Sequence, residues 1–520
     1  MRKDTSAGES TAPRIHELVY PKKGYWGSRC DKLLFMHKKA GIQLHSCILF
    51  AAGVLLRLFY CLGTTIYERQ YDISEMDLAA GYNGGGGHLG YIHYIYTYGH
   101  IPREGLKEIY QFSHPPLHYV LSAAWMRFCS LFIRDPERLA ESIQVIPFVC
   151  SVAALCAIFM ILSEIREIWG EGESRAALPP RNAGAPAGDG RSAAGLILAE
   201  AVFAFHPSLI LLSGSVNNDG GSFLASVLCI LFTLRWLRRP SFAGITELAL
   251  ALGLGMMTKQ SVAEMAFPIA AVFLIVLVCA VRGAGNLQGS GKIREQEATG
   301  AEMPGLPSLI GQYALFLAVS VPLGMWFYLR GLMVYDMPLV FVHTLPEDSW
   351  QYIGNVPVLN RYLWPVIPEF LDNLRHFRIG CGYNVWLQIM RTSVLGEWDM
   401  AEVSRGVKVL AMLLMFAGAV LALLVFPVFV RVFFSFRDCG KRAAAAFFAV
   451  GYVIHMALYF RFSYSYPQQC SMNFRYITVT LIFNAAALAA AGGRKYRALT
   501  AVTAVFCALS AAMTAYWSFC

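Results

Sequence analysis

Charge is what this chain has little of. Charged residues occupy 15% of its 520 positions and hydrophobic ones 56%, where an average soluble protein is about a quarter charged. A chain of this length could form three or four soluble domains, and the balance excludes that division in favour of a polytopic membrane protein. Paired cysteines are also missing. The 13 Cys are scattered, many in apolar runs such as Cys150, Cys156, Cys229 and Cys507; no CxxC pair suggests zinc or redox chemistry, and no disulfide framework can be read. The glycines from Gly84 to Gly87 have no strand–turn–helix context and no following phosphate-loop Lys, so a tight or flexible turn is expected in place of a nucleotide loop. The net charge of +9 has to be judged by where Lys and Arg sit relative to the spans, and no nucleic-acid partner is expected.

What is present is a series of apolar segments of roughly 20 residues. Eleven are expected, near 41–63, 143–163, 195–216, 220–237, 241–258, 262–281, 309–329, 408–430, 443–460, 476–492 and 498–517. The first has no small-residue cleavage site at its end, so it is expected to be a retained anchor. With the N-terminus cytoplasmic, the inner segments hold 26 Lys and Arg in 121 residues and the longer outer ones hold 15, as the positive-inside bias requires. The stretch from Pro115 to Phe132 is apolar too, but as a span it would invert everything after it; it is expected to be an interfacial helix. The expected architecture is therefore an all-α polytopic membrane protein, with a basic cytoplasmic segment 1–40 and one membrane domain 41–520. Polar stretches 164–194 and 282–308 read as cytoplasmic linkers. The outer loops 64–142 and 330–407 are too long for connectors, which makes them the expected seat of function.

The first outer loop carries Asp72, Glu75 and Asp77, then His88, then His114-Pro115-Pro116-Leu117-His118. Asp72 lies just past a span, at the depth where a lipid phosphate sits. A solvated carboxylate is the simpler reading, but its neighbours are His, Gly and Pro-Pro, and no charge run surrounds it. His88, His114 and His118 with Asp72 or Asp77 offer metal-ligand chemistry, yet their spacing fits no metal motif; no cofactor is expected, a divalent metal being the sole candidate. Asp219 falls between two closely spaced spans, where an acid is expensive and functional by default, although Asn218 or Asp219 would also cap the next helix. Lys259 falls at an outer turn and Arg475-Tyr476 opens a late span. Each cation either snorkels to the headgroups or, with Arg138, helps meet a phosphorylated lipid.

Taken together, Asp72 after the first span, His114 to Leu117, Asp219 after the third span and Arg475-Tyr476 resemble the GT-C-type membrane glycosyltransferases, the group with the protein O-mannosyltransferases and the lipid A aminoarabinose transferase. The resemblance covers roughly the first 280 residues; beyond them only hydropathy and the Arg-Tyr pair agree. The family often shows Asp-Glu where this chain has Asp72-Ile73, leaving Glu75 or Asp77 as the nearest second acid. The resemblance implies transfer of a sugar from a polyprenyl-phosphate donor to a hydroxyl of a protein, lipid or glycan acceptor, on the extracytoplasmic face of the cell membrane. In that scheme Asp72 is the catalytic base, Arg475 and Lys259 hold the donor phosphate, and His88 or His114 orients Asp72 or binds the sugar. Asp77, Asp219 and Tyr476 complete the substrate site, and attack opposite the leaving phosphate implies inversion. A transporter or flippase is the alternative, and it would be expected to show internal repeats and paired broken helices; no repeat is visible. A structural or assembly role would predict that Asp72 tolerates Asn.

Overall fold

The computed structural model describes residues 25–66, 78, 81–176, 189–287, 304–364, 367–368, 382–398, 400, 402–434, 439–491 and 497–519. Among the described residues there is no β-strand, only an isolated bridge between Tyr352 and Gln468. Contacts divide the chain into a small unit, 1–47, and a large one, 48–520. In the small unit the described residues, from Tyr25 on, are helical. Apart from the first residues of the helix that ends at Gly63, the large unit holds everything discussed below.

Among the described residues eight helices are long and apolar enough to cross a membrane: Gln43–Gly63, Pro136–Trp169, Asp219–Arg238, Gln260–Arg282, Leu306–Tyr335, Arg405–Phe433, Lys441–Ser465 and Arg497–Phe519. A ninth crossing is possible if Ala194–Phe205 and Pro207–Gly214, bent by 40°, act as one. The fifth and tenth expected spans coincide with shorter helices, Phe242–Met256 of 15 residues and Thr480–Ala490 of 11. At 1.5 Å per residue these reach about 22 and 16 Å, short of the roughly 30 Å hydrocarbon core. The Leu117–Cys129 helix, within the apolar stretch from Pro115, has 13 residues and is not among the long candidates.

The bend has a cause in the sequence. Pro207 lacks the N–H that would bond to Phe203 four residues earlier. The guanidinium of Arg57, 1% exposed, fills the gap: Nη2 donates to the Phe203 carbonyl at 3.2 Å and Nη1 to the Ala204 carbonyl at 3.1 Å, while Nε donates to Ser151 Oγ at 3.0 Å. A buried cation and two buried carbonyls without helical partners thus satisfy one another. Nearby, a Cβ at Gly195 would collide with the Leu488 carbonyl oxygen, so glycine permits the close approach that seats the short Thr480–Ala490 helix.

The first loop is a packed layer. Leu89, Tyr91, Ile92 and Ile95 of the Gly87–Tyr98 helix interlock with Phe112 and with Tyr119, Ala123 and Met126 of the Leu117–Cys129 helix. Tyr91 and Tyr119 stack at 4.0 Å, and the Leu117 N–H donates to the Met257 carbonyl at 3.0 Å, pinning the layer to the turn that ends in Lys259. The glycine run forms a tight turn: Gly84 and Gly87 have positive φ, and the Gly87 N–H bonds to the Tyr110 carbonyl. From the second loop, Ile353 and Val385 pack with Tyr459, Met472, Phe474 and Ile477, which anchors the segment carrying Arg475.

Candidate functional site

Three segments far apart in sequence build a charged cluster. Asp219 opens its helix, and its N–H donates to the Asn217 side-chain oxygen at 2.9 Å. Lys259 precedes the 3-10 turn Gln260–Met265, and its ammonium donates to Asp219 Oδ1. Arg475 lies in the 3-10 turn Phe474–Ile477, whose start is fixed by the Asn473 side chain accepting from the Arg475 N–H at 3.0 Å. Asn473 in turn donates to Glu397 at 3.0 Å, and the Phe474 N–H donates to Thr392 Oγ1 at 2.8 Å. Arg475 Nη1 is 3.7 Å from Asp219 Oδ2, and the Arg475 and Asp219 side chains are only 3% and 5% exposed. The Tyr476 ring lies 5.0 Å from the Lys259 nitrogen and 5.2 Å from the Arg475 guanidinium carbon, inside cation–π range.

The cluster backs onto a cavity of about 520 Å³. His88, His114, Lys259, Arg475 and Tyr476 line it, with apolar walls from Phe267, Val340, Phe341, Leu458 and Phe462. Behind it, a recess of about 30 Å³ is lined by Asp219, Lys259, Glu264, His455, Arg475 and Tyr476. Six residues singled out in the sequence, His88, His114, Asp219, Lys259, Arg475 and Tyr476, are therefore brought together. Asp72 and Asp77 lie outside the described residues, and Arg138 is not on the cavity wall.

The histidines are held by a short chain of polar groups. Asn218 Nδ2 donates to the Thr258 carbonyl at 3.0 Å, which fixes the amide, and is 3.0 Å from His114 Nδ1. That nitrogen must accept, so His114 carries its proton on Nε2. Tyr119 Oη is 2.8 Å from His88 Nδ1 and 3.5 Å from His114 Nδ1. This corrects the expectation that Asn218 caps the helix: its side chain makes no cap bond, and Asn217 takes the Asp219 N–H. His118 is buried just behind, with Nε2 lacking a hydrogen-bond partner among the described residues. Burial pushes its pKa down to about 3, with His88 adding to the effect and Asp219 opposing it. It is therefore neutral at physiological pH. Among the described residues no three His, Cys, Asp or Glu side chains are grouped so as to hold a metal ion.

Sequence reading missed Glu264 and His455. Both line the cavity and the recess, and both sit within expected spans, 262–281 and 443–460. An ionisable residue inside an apolar run is itself a functional signal, and that signal was available for both.

No known protein-family model matches the chain, and no curated protein matches it in sequence.

Proposed function

We propose that the chain is a membrane glycosyltransferase that moves a sugar from a polyprenyl-phosphate donor to a hydroxyl acceptor on the extracytoplasmic face, with inversion. The observation that carries this reading is the convergence of Lys259 and Arg475 on the wall of a cavity with a polar end and an apolar end. A lipid-linked sugar phosphate needs both: cations for the phosphate and apolar walls for the first part of the tail. As the sugar–phosphate bond breaks, charge grows on the phosphate oxygen, and preplaced cations in a poorly solvated site stabilise that charge most. His114, with its proton on Nε2, and His88 supply groups suited to sugar hydroxyls. Asp72 is the base that takes the acceptor proton. The reading places the N-terminus in the cytoplasm and counts eleven crossings, with Phe242–Met256 and Thr480–Ala490 as short ones.

A transporter is the second reading, favoured by the 40° break at Pro207, since broken helices often line transport sites. Assay of purified protein with a panel of radiolabelled polyprenyl-phosphate sugars separates the two. Transfer of label to an acceptor supports the enzyme; saturable binding or flux of a lipid-linked sugar with no transfer to any acceptor overturns it.

A further inference from the structure

Glu264 and His455 come from different long helices, Gln260–Arg282 and Lys441–Ser465, and meet where the cavity joins the recess. His455 Nδ1 is 2.7 Å from the Gly451 carbonyl oxygen. A carbonyl only accepts, so Nδ1 carries the ring proton and Nε2 presents its lone pair. Glu264 Oε2 faces that Nε2 at 3.6 Å. With both groups deprotonated, two acceptors would face each other in a contact whose imidazole is 4% and carboxylate 22% exposed, an arrangement that a proton on Glu264 relieves.

The charge of Lys259 reaches Glu264 through space, but Lys259 and Arg475 are both engaged with another carboxylate. Asp219 on its helix holds Lys259, and Arg475 is turned to the same carboxylate; among the described residues no N–H or O–H donates a hydrogen bond to Glu264. Arg461 and Tyr476 line the same cavity. Tyr328 and Tyr459 also face it, but their hydroxyls donate to the Met256 and Met472 carbonyls at 2.9 and 2.6 Å. The recess, about 30 Å³ and polar-walled, has room for a water that would link Glu264 to the charged cluster.

We propose that the Glu264–His455 pair is the proton donor to the departing phosphate, an inference that rests on the glycosyl-transfer reading. In the step, the bond between the sugar carbon and the phosphate oxygen breaks and its electron pair goes to that oxygen. Glu264 passes its proton to the same oxygen and is left as a carboxylate beside His455. The acceptor hydroxyl forms the new bond from the opposite face and loses its proton to the base there. Water in the cavity then reprotonates the pair. Protonation leaves the product phosphate a monoanion, which Lys259 and Arg475 release more readily than a dianion.

The test locates the proton by ³¹P NMR of farnesyl phosphate bound to the purified full chain in detergent at pH 7.5, where the free ligand is mainly the dianion. The wild type is expected to show the monoanion shift and Glu264→Gln the dianion shift, with turnover falling about 100-fold, the low end for loss of acid–base catalysis, at little change in donor KM. His455→Gln, on the other side of the contact, is expected to act in the same direction. A dianion shift in the wild type, or a monoanion shift that survives in Glu264→Gln, overturns the inference and leaves the donor site standing. No saturable binding of farnesyl phosphate overturns both.

Discussion

The Asp219–Arg238 helix carries one carboxylate–cation cluster at each end, and the two differ in almost everything but composition. At its start, Asp219 takes Lys259 and Arg475 in a pocket that leaves their side chains 3 to 15% exposed. At its finish, Arg235 and Arg238 take Glu164 and Glu167, and Glu167 is 58% exposed. The Glu164–Glu167 cluster costs less to form, because water still reaches Glu167 and the two arginines, and is worth correspondingly little. The Asp219 cluster bears a desolvation penalty that replacement by apolar side chains would often remove. A buried ionic cluster at the wall of a cavity is thus better understood as kept for what it binds than for what it stabilises.

The comparison breaks first if chemistry is not confined to the buried end. Asp72→Asn is expected to lower turnover by about 100- to 10,000-fold, as loss of a general base does, with protein yield unchanged; radiolabel transfer at saturating donor measures it. Normal turnover would move the base elsewhere. Next comes Asp219→Asn, which strips two buried cations of their counter-charge. It is expected to cost roughly 3–5 kcal/mol by thermal unfolding in detergent, and pairing it with Lys259→Gln should recover part of that loss; a strictly additive double variant would show that the two do not interact. Arg475→Ala is expected to weaken donor binding by about 10- to 100-fold, the value of a charged hydrogen bond or two. Arg475→Lys should restore only part, since it offers a point charge where guanidinium offers a planar fork, and full recovery would argue that charge alone is read.

His118 gives a smaller, pH-dependent effect. Its folded pKa of about 3 lies below the ordinary imidazole value, so the unfolded chain takes up a proton first as pH falls. Stability is complete above about pH 6.5 and drains at about 1.4 kcal/mol per pH unit below it, down to the folded pKa. His118→Asn should flatten that slope in unfolding scans between pH 7 and 5. The smallest effect belongs to the exposed ion pair: Glu167→Gln, at a side chain 58% exposed, is expected to change stability by less than about 1 kcal/mol and activity not at all. A large loss there would erase the contrast between the two ends.

Much of this was legible without coordinates. Hydropathy marked the apolar segments because a lipid-facing helix must be apolar along its length, and nine of the eleven coincide with helices of spanning length or the bent pair. Length was misjudged at 241–258, where the helix ends at Met256 just before Lys259, and at 476–492, where the 3-10 turn holding Arg475 delays the helix; an apolar run does not reveal where helical hydrogen bonding stops. Six of the eight candidate site residues lie together at the cavity or its recess; they drew notice because charge is rare here, and a rare acid or base carries information. Glu264 and His455 were passed over because each stands alone in its run, with no neighbouring motif to draw notice.

The sequence by itself determined the class of protein, the helical segments and the short roll of polar residues worth attention, since all three follow from local composition and the cost of burying charge. Only the tertiary structure decided which of those residues meet. Asp219, Lys259 and Arg475 are brought together from positions 40 and more than 200 residues apart, and Glu264 finds His455 across a similar interval. Pairings of that kind depend on how helices pack, through the glycine that lets Gly195 approach Leu488 and the proline break that Arg57 satisfies. A side chain's neighbours across a bundle leave no periodic trace in its own segment.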